Sequence, residues 1–286
     1  MPFRHTKQRC AELQISFSIV TVLYVAQLTE RTPALQKVNF DLSTDDVFDS
    51  VSEIERVKLS DFCPCFDFNE SRALAYDERV EHFNESIRAS RTIVLYGYFQ
   101  SWKYTQSITQ HLRRYFKFHD DIAKFAEAFL KSCKPPRWSE GFVRVAVHNR
   151  RADILVAYFI NLGYTTPDPN YFQRAMRYFV ERYGRVQFIV ASDDLIWARA
   201  NIRTPAGLPS DVVSVTYVPD GQSPGQDMAI LARCDHTIMS TGTYGWWAAW
   251  LAGGVTVYYK DWPRTGSELY GVFRSEDFFP PEWIPM

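Results

Sequence analysis

The C-terminal half of this sequence predicts an α/β fold built on a parallel, doubly wound sheet. From residue 143 onward, short β-branched runs alternate with runs at helical spacing, as successive strand–helix units require. Two of the strand-to-helix junctions carry dense polar clusters. The 286 residues, 46% of them hydrophobic, suffice for one large domain or two modest ones with a buried core.

Taken in order, residues 13–28 (LQISFSIVTVLYVAQL) are the most hydrophobic run, preceded by Arg4, Lys7 and Arg9. The run is short of the ~20 apolar residues of a membrane span. Ser16, Ser18, Thr21 and Gln27 interrupt it, and no small-residue cleavage site is visible. A buried first helix is therefore predicted, leading to a turn at 29–33. Residues 41–61 are acidic and read as a connecting loop with one short helix. Cys63 and Cys65 lie too close for ordinary zinc spacing. With Cys10, Cys133 and Cys234 the cysteine count is odd. One or two disulfides would fit an oxidising compartment, but the pairing is undefined. Asn69-Glu70-Ser71 and Asn84-Glu85-Ser86 have the form of N-glycosylation acceptors, which makes Asn69 and Asn84 candidate modified residues in the secretory pathway.

Residues 91–104 (RTIVLYGYFQSWKY) begin as a strand and break at Gly97 into an aromatic, polar turn. Residues 104–130 read mainly as helix, with Ile108, Leu112, Tyr115 and Phe116 on one side, then Ile122, Phe125 and Phe129. Lys134-Pro135-Pro136-Arg137 stops the helix and marks the predicted boundary between an N-terminal lobe (1–136) and a C-terminal lobe (137–286). After an opening strand at 143–147, a helix is predicted over 171–183, a strand over 186–190 and a helix over 195–202. There follow a strand (212–218), a turn-rich loop (219–225), a helix (227–234), a strand (236–239), an apolar helix (244–251) and a last strand (255–259).

The chemistry concentrates where these strands end. The stretch GFVRVAVHNRRAD, residues 141–153, runs from a strand into His148, Asn149, Arg150, Arg151 and Asp153. Ligands of α/β sheets bind beyond the carboxyl ends of strands. Two guanidinium forks there match paired phosphate oxygens; a solvated basic turn is the alternative. His148 would either shape this loop or transfer a proton. Ser240, Thr241 and Thr243 precede an apolar helix whose first N–H groups can hold phosphate, or they simply cap it. Asp227 and the run Ser192-Asp193-Asp194 could likewise cap the helices that follow them.

The net charge of -1 argues against a broad nucleic-acid footprint. Sixteen tyrosines and eight tryptophans suggest aromatic surfaces of the kind that partner sugars. No Gly-x-Gly-x-x-Gly and no P-loop pattern occurs. With no Asp-x-Asp and no ligand spacing among the six histidines, a bound nucleotide diphosphate would be neutralised by arginine and helix ends, with no metal.

HNRRAD resembles the His-x-Arg-Arg-x-Asp motif of the α1,2- and α1,6-fucosyltransferase group. The run DMAILARCDHTIMSTGTYGWWAAWLAGG (227–254) resembles glycosyltransferase family 11, the galactoside α1,2-fucosyltransferases. FIVASDD, LYGYFQSWKY and the final PPEW resemble the same family in the family's order, and the similarity runs from about Thr92 to the end. YVAQLTERTPAL (24–35) resembles the end of that family's first helix. The resemblance implies a GT-B-like fold of two Rossmann-like lobes. It implies metal-independent, inverting transfer of L-fucose from GDP-fucose to the 2-hydroxyl of a β-galactoside-terminated glycan. By position, Arg150 or Arg151 would hold the diphosphate and stabilise departing GDP, with His148 and Asp153 completing the loop. Ser192, Asp193, Asp227, Ser240, Thr241 and Thr243 would line the nucleotide pocket, and Tyr98, Gln100 and Trp102 would lie nearer the cleft between lobes. Asp153 and Asp193 are both candidates for the general base.

The family setting implies the lumenal side of the Golgi membrane. Arg9-Cys10-Ala11-Glu12 stands where the family has a Gly-x-Gly-Asn loop, and no convincing anchor precedes it. An N-terminally shortened chain is therefore expected, with membrane association only through a weak or missing segment. The alternative function is a non-catalytic nucleotide-sugar or glycan-binding paralogue.

Overall fold

The computed structural model describes residues 17, 19–36, 46–57, 65–83, 92–135, 138 and 140–286. Cys10, Cys63, Asn84, the Arg9–Glu12 segment and the start of the first hydrophobic run lie outside these residues. The chain divides into two compact units.

The smaller unit draws its described residues from Ala11–Phe118 and Gly271–Pro280. Residues 19–29 form α1, a helix with Ile19, Val20, Thr21, Leu23, Tyr24 and Val25 buried, as the interrupted hydrophobic run predicts. Two parallel strand pairs follow: β1 (Ala34–Gln36) with β2 (Glu55–Val57), and β3 (Cys65–Asn69) with β4 (Thr92–Tyr96). The expected loop over 41–61 thus contains β2 as well as a short 3-10 helix, Asp49–Glu53. The expected single helix over 104–130 is instead α2 (Lys103–Gln106), α3 (Thr109–Tyr115) and α4 (Asp120–Ser132). It breaks at 116–119 because Phe118 bridges antiparallel to Phe48 while the Asp49 N–H donates to the Lys117 carbonyl at 2.9 Å.

The larger unit draws its described residues from His119–Tyr270 and Pro281–Met286. Its six-stranded sheet is parallel throughout, in the order β10-β9-β8-β5-β6-β7. The strands are β5 (Val143–Asn149), β6 (Val186–Ser192), β7 (Val213–Tyr217), β8 (His236–Met239), β9 (Thr256–Tyr258) and β10 (Ile284–Pro285). Between them run α5 (Ala157–Leu162), α6 (Pro169–Tyr183), α7 (Leu195–Asn201), α8 (Pro224–Ala232) and α9 (Thr243–Ala252). The parallel α/β class and the positions of β5 to β9 follow the sequence, while β10 was not foreseen. Helix α5 was not foreseen: it buries no residue, so its apolar letters carry no one-sided spacing. The units divide ahead of α4, not at the Lys134–Arg137 break, because α4 packs on α8 of the sheet unit.

Burial explains why each element settles. Every residue of β6 is buried, as in a strand covered on both faces. Amphipathic α6 turns Tyr171, Phe172, Ala175, Met176, Phe179 and Val180 onto the sheet. Its start is fixed by Asp168, whose carboxylate accepts from the Tyr171 N–H, and by Pro169 in the first turn. Helix α8 opens with a capping box of Ser223 and Gln226, so Asp227 lies inside the helix and does not cap it. Apolar α9 is closed by Gly253 in the left-handed conformation.

One half-buried carboxylate, Glu70, shapes the smaller unit. Glu70 Oε2 accepts from the Tyr98 N–H at 2.7 Å, beside Phe99 at φ 50°. Burial pushes its carboxyl up to about 7; the Phe99 and Tyr98 N–H groups pull against this, and nearby Asp77 adds to it. The folded state then binds more protons than the unfolded chain between the ordinary Glu value and pH 7. The associated stability is present at acid pH and declines as pH rises through about 7. Denaturant midpoints across pH 4–8 should show this decline in the wild type and a flatter profile in Glu70→Gln. In the sheet unit, Phe188 is fully buried at the centre of β6. Phe188→Ala should cost about 3–5 kcal/mol in urea unfolding.

Candidate functional site

The sheet order sets the site. From β5 the chain proceeds through β6 to β7 on one side, and β8, β9 and β10 extend the sheet on the other. The reversal between β5 and β8 is a topological switch point, where the connections diverge and a crevice opens beyond the strand ends. Register brings the ends together: His148 pairs with Ala191 and Met239, and Asn149 with Ser192. A cavity opens there. Its walls are His148, Asn149, Arg150 and Asp153 after β5, Ala191, Ser192 and Asp193 after β6, and Asp227, Thr243 and Tyr244 from α8 and α9.

Arg150 is the best-anchored cation of the site. Its Nε donates to both Asp153 carboxylate oxygens at 3.0 and 3.2 Å, and its Nη2 to Oδ2 at 2.7 Å. The side chains are only 12% and 14% exposed, so the pair offsets a desolvation cost that either partner alone would suffer. The guanidinium also lies over the Tyr164 ring, 5.5 Å from its centroid. The Arg150 N–H donates to Ser240 Oγ at 2.8 Å, and the Ser240 N–H to the His148 carbonyl at 3.0 Å, stitching the ends of β5 and β8.

Arg151 goes elsewhere. Its guanidinium lies over Trp197 at 4.3 Å, with Nη1 donating to Thr166 Oγ1 at 3.2 Å and Nε 3.8 Å from Asp194. It does not line the cavity. The two arginines, equivalent in sequence, are thus distinguished by packing.

The other sequence-predicted residues divide between wall and scaffold. Buried His148 lies near Ser240 Oγ at 3.4 Å and stacks on Tyr244 at 5.5 Å, while the Tyr244 hydroxyl donates to the Pro224 carbonyl at 2.6 Å. Ser192 Oγ accepts from Asn149 Nδ2 at 2.9 Å and from the Asp194 N–H at 3.0 Å. Asp194 caps α7 by accepting from the Trp197 N–H at 3.0 Å. Asp193 accepts from the N–H groups of Arg151 and Ala152 at 2.8 and 3.0 Å. Burial raises its carboxyl above the ordinary aspartate value, the loop amides pull it down and Asp153 pushes it up. Asp227 is buried in the wall, Thr243 opens α9, and Ser240 and Thr241 are buried behind it. Thr241 Oγ1 has no hydrogen-bond partner among the described residues. Neither Ser240, Thr241 nor Thr243 caps α9, whose N-cap is Gly242.

Tyr98, Gln100 and Trp102 belong to the smaller unit. Tyr98 is exposed, Gln100 is buried, and the Trp102 indole N–H donates to the Glu276 carbonyl at 3.0 Å. Asn69 is exposed at the end of β3. Tyr244 is a wall residue not singled out from the sequence, and Asn149, named there among the polar residues after the strand but given no role, also lines the wall. The signal for Asn149 was its position as the last residue of a strand otherwise rich in valine.

The family model described as Glycosyl transferase family 11 matches residues 77–286. The galactoside alpha-(1,2)-fucosyltransferase 1 of Homo sapiens is 35% identical over 193 residues, 66% of this chain and 51% of that protein. The Bos taurus protein of the same name is 34% identical over the same length, which is 52% of it. The chain spans about half the length of the curated relatives it matches. Among solved structures, a mutant of Arabidopsis thaliana FUT1 in complex with GDP superposes with a TM-score of 0.55 at 13% identity, covering 94% of this chain and 72% of that one. That likeness is one of fold.

Two glycines make the site's close contacts feasible. Gly242 has φ 90°, and a Cβ there would stand 2.6 Å from Arg150 Nη1; a Cβ on Gly245 would stand 2.3 Å from His148 Nδ1. Gly242→Ala should destabilise the protein by about 1–3 kcal/mol through its backbone alone, measured as a shift in the urea midpoint.

Proposed function

We propose, from the premise that this chain belongs to glycosyl transferase family 11, that it binds GDP-fucose at the switch-point cavity and transfers L-fucose to the 2-hydroxyl of a terminal β-galactoside. The observation that carries the reading is the placement of Arg150. Its guanidinium lies against Gly242 at the opening of α9, whose first N–H groups carry the positive end of the helix dipole. Two positive groups face one wall, and an anion between them is favoured by both.

In this reading Arg150 and the start of α9 hold the diphosphate. Asp153 grips Nε and Nη2 and so orients the fork. Asp227, buried in the wall, accepts hydrogen bonds from N–H or hydroxyl groups of the nucleoside. His148 packs against Gly245 and Tyr244 and keeps the floor of the cavity fixed. The acceptor oxygen attacks the anomeric carbon from the face opposite GDP, and the bond from that carbon to the β-phosphate oxygen breaks. The hydroxyl proton passes to solvent water, and the negative charge growing on GDP is stabilised by Arg150 and the helix N-terminus. Inversion follows from the single displacement.

Relatives named as α-1,2-fucosyltransferases support the acceptor linkage. The lumenal Golgi setting and glycosylation at Asn69 and Asn84 belong to the same proposal. Among the described residues no helix is long and apolar enough to cross a membrane.

The test is transfer of labelled fucose from GDP-fucose to a panel of β-galactosides with EDTA present. Transfer to a terminal galactose, with the label on its 2-hydroxyl, is expected. GDP binding without turnover would favour the nucleotide-sugar-binding alternative. Arg150→Ala should weaken GDP binding by at least tenfold, about the 1.5–3 kcal/mol of a charged hydrogen bond, and Arg151→Ala should weaken it far less. An unchanged GDP affinity in Arg150→Ala would overturn the phosphate assignment.

A further inference from the structure

We propose that Asp193 is a positioning residue, neither a donor ligand nor the general base: its carboxylate fills the backbone N–H nest of the arginine loop and so fixes where Arg150 stands. The inference rests on the phosphate role given to Arg150 above.

The three successive N–H groups of Arg151, Ala152 and Asp153 converge on this one carboxylate, at 2.8 Å to Oδ1 and at 3.0 and 3.5 Å to Oδ2. Successive amides converging on one anion form the concavity that elsewhere binds phosphate. Here a residue of the protein already occupies it. The diphosphate is thereby kept off these amides and left to Arg150 and the opening of α9. Both Asp193 oxygens are engaged by the loop, which makes the group poorly placed to accept a proton from an incoming hydroxyl.

The support for Asp193 is rigid. It follows directly on β6, whose residues are all buried, and β5–β6 register sets Asn149 opposite Ser192, one residue earlier in each strand. Its neighbours are spent in the same way, Ser192 on Asn149 and the Asp194 N–H, Asp194 on the first turn of α7. The loop that Asp193 holds ends in Asp153, and Asp153 holds the Arg150 fork. Position is thus passed from β6 through Asp193 and the loop amides to Asp153 and the guanidinium.

The experiment compares wild type, Asp193→Asn and Asp193→Ala in three readouts: amide hydrogen exchange at residues 151–153, GDP affinity by calorimetry across pH 4–8, and fucose transfer. Asp193→Ala should speed exchange at the three amides and weaken GDP binding about tenfold, the scale of a charged hydrogen bond. Asp193→Asn, which keeps one carbonyl acceptor, should lose less. Wild-type GDP affinity should fall at acid pH as Asp193, Asp153 and GDP's own terminal phosphate protonate, and this limb should be smaller in Asp193→Asn. Unchanged exchange in the alanine variant overturns the proposal. So does faster exchange with unaltered GDP affinity. A variant that binds GDP normally but cannot transfer fucose returns Asp193 to the general-base role. If wild type binds no GDP, the site reading fails, and the exchange data alone decide whether Asp193 holds the loop. If the alanine variant does not fold, Asp193→Asn carries every arm.

Discussion

Strand β5 is hydrogen-bonded on both sides, to β6 along one edge and to β8 along the other, and the site depends on that double pairing. Parallel register brings three strand ends level, so His148, Ser192 and Ser240, some 40 and 90 positions apart in sequence, gather at one edge of the sheet. The sheet can hold this level because its strands are sealed. β6 is wholly buried, and Val145, Val147, Phe188, Val190 and Ile238 pack into one core beneath the site. A one-residue slip would turn every side chain of β5 to the other face, exchanging His148 for Asn149 at the cavity and Val147 for His148 in the core.

Above that base the limiting factor is space. Arg150 and His148 each lie where a side chain on α9 would otherwise be, over Gly242 and Gly245. An arginine fork pressed against a helix N-terminus is electrostatically unfavourable by itself, since both are positive. Asp153 offsets this by taking two of the guanidinium nitrogens. One internal carboxylate thus balances the fork from below, and under the proposed function a diphosphate in the cavity would meet groups that are already aimed.

The polar residues of the strand ends fall into two kinds that their letters do not distinguish. Arg150, Asp227 and Thr243 stand in the wall of the cavity. Arg151, Asp194 and Ser240 are consumed by the fold, on Trp197, on the α7 cap and on the Arg150 backbone. Asp194 and Ser240 each satisfy a backbone N–H that would otherwise cost about 1–3 kcal/mol if left buried and unpaired. This is why a short motif contains more polar residues than a ligand can touch.

The sequence alone determined the alternation of strand and helix from residue 143 onward, because β-branched runs and amphipathic spacing are local properties that burial on both sheet faces reinforces. It also singled out strand ends that line the cavity, and the buried nature of α1. Strand β3 was legible in part, since Phe66 and Phe68 alternate, but the cysteine and glycosylation patterns in the same residues drew the reading away. Three-residue β1 and β2 left no periodicity to read. Only the tertiary structure decided that the helix over 104–130 breaks where Phe118 meets Phe48, and that α4 joins the sheet unit through α8. It alone chose Arg150 over Arg151 and made Asp193 a holder of backbone. Those choices depend on which groups, distant in sequence, arrive within 3 Å of one another, and a residue's letter specifies what it can bond, not what the sheet will set beside it.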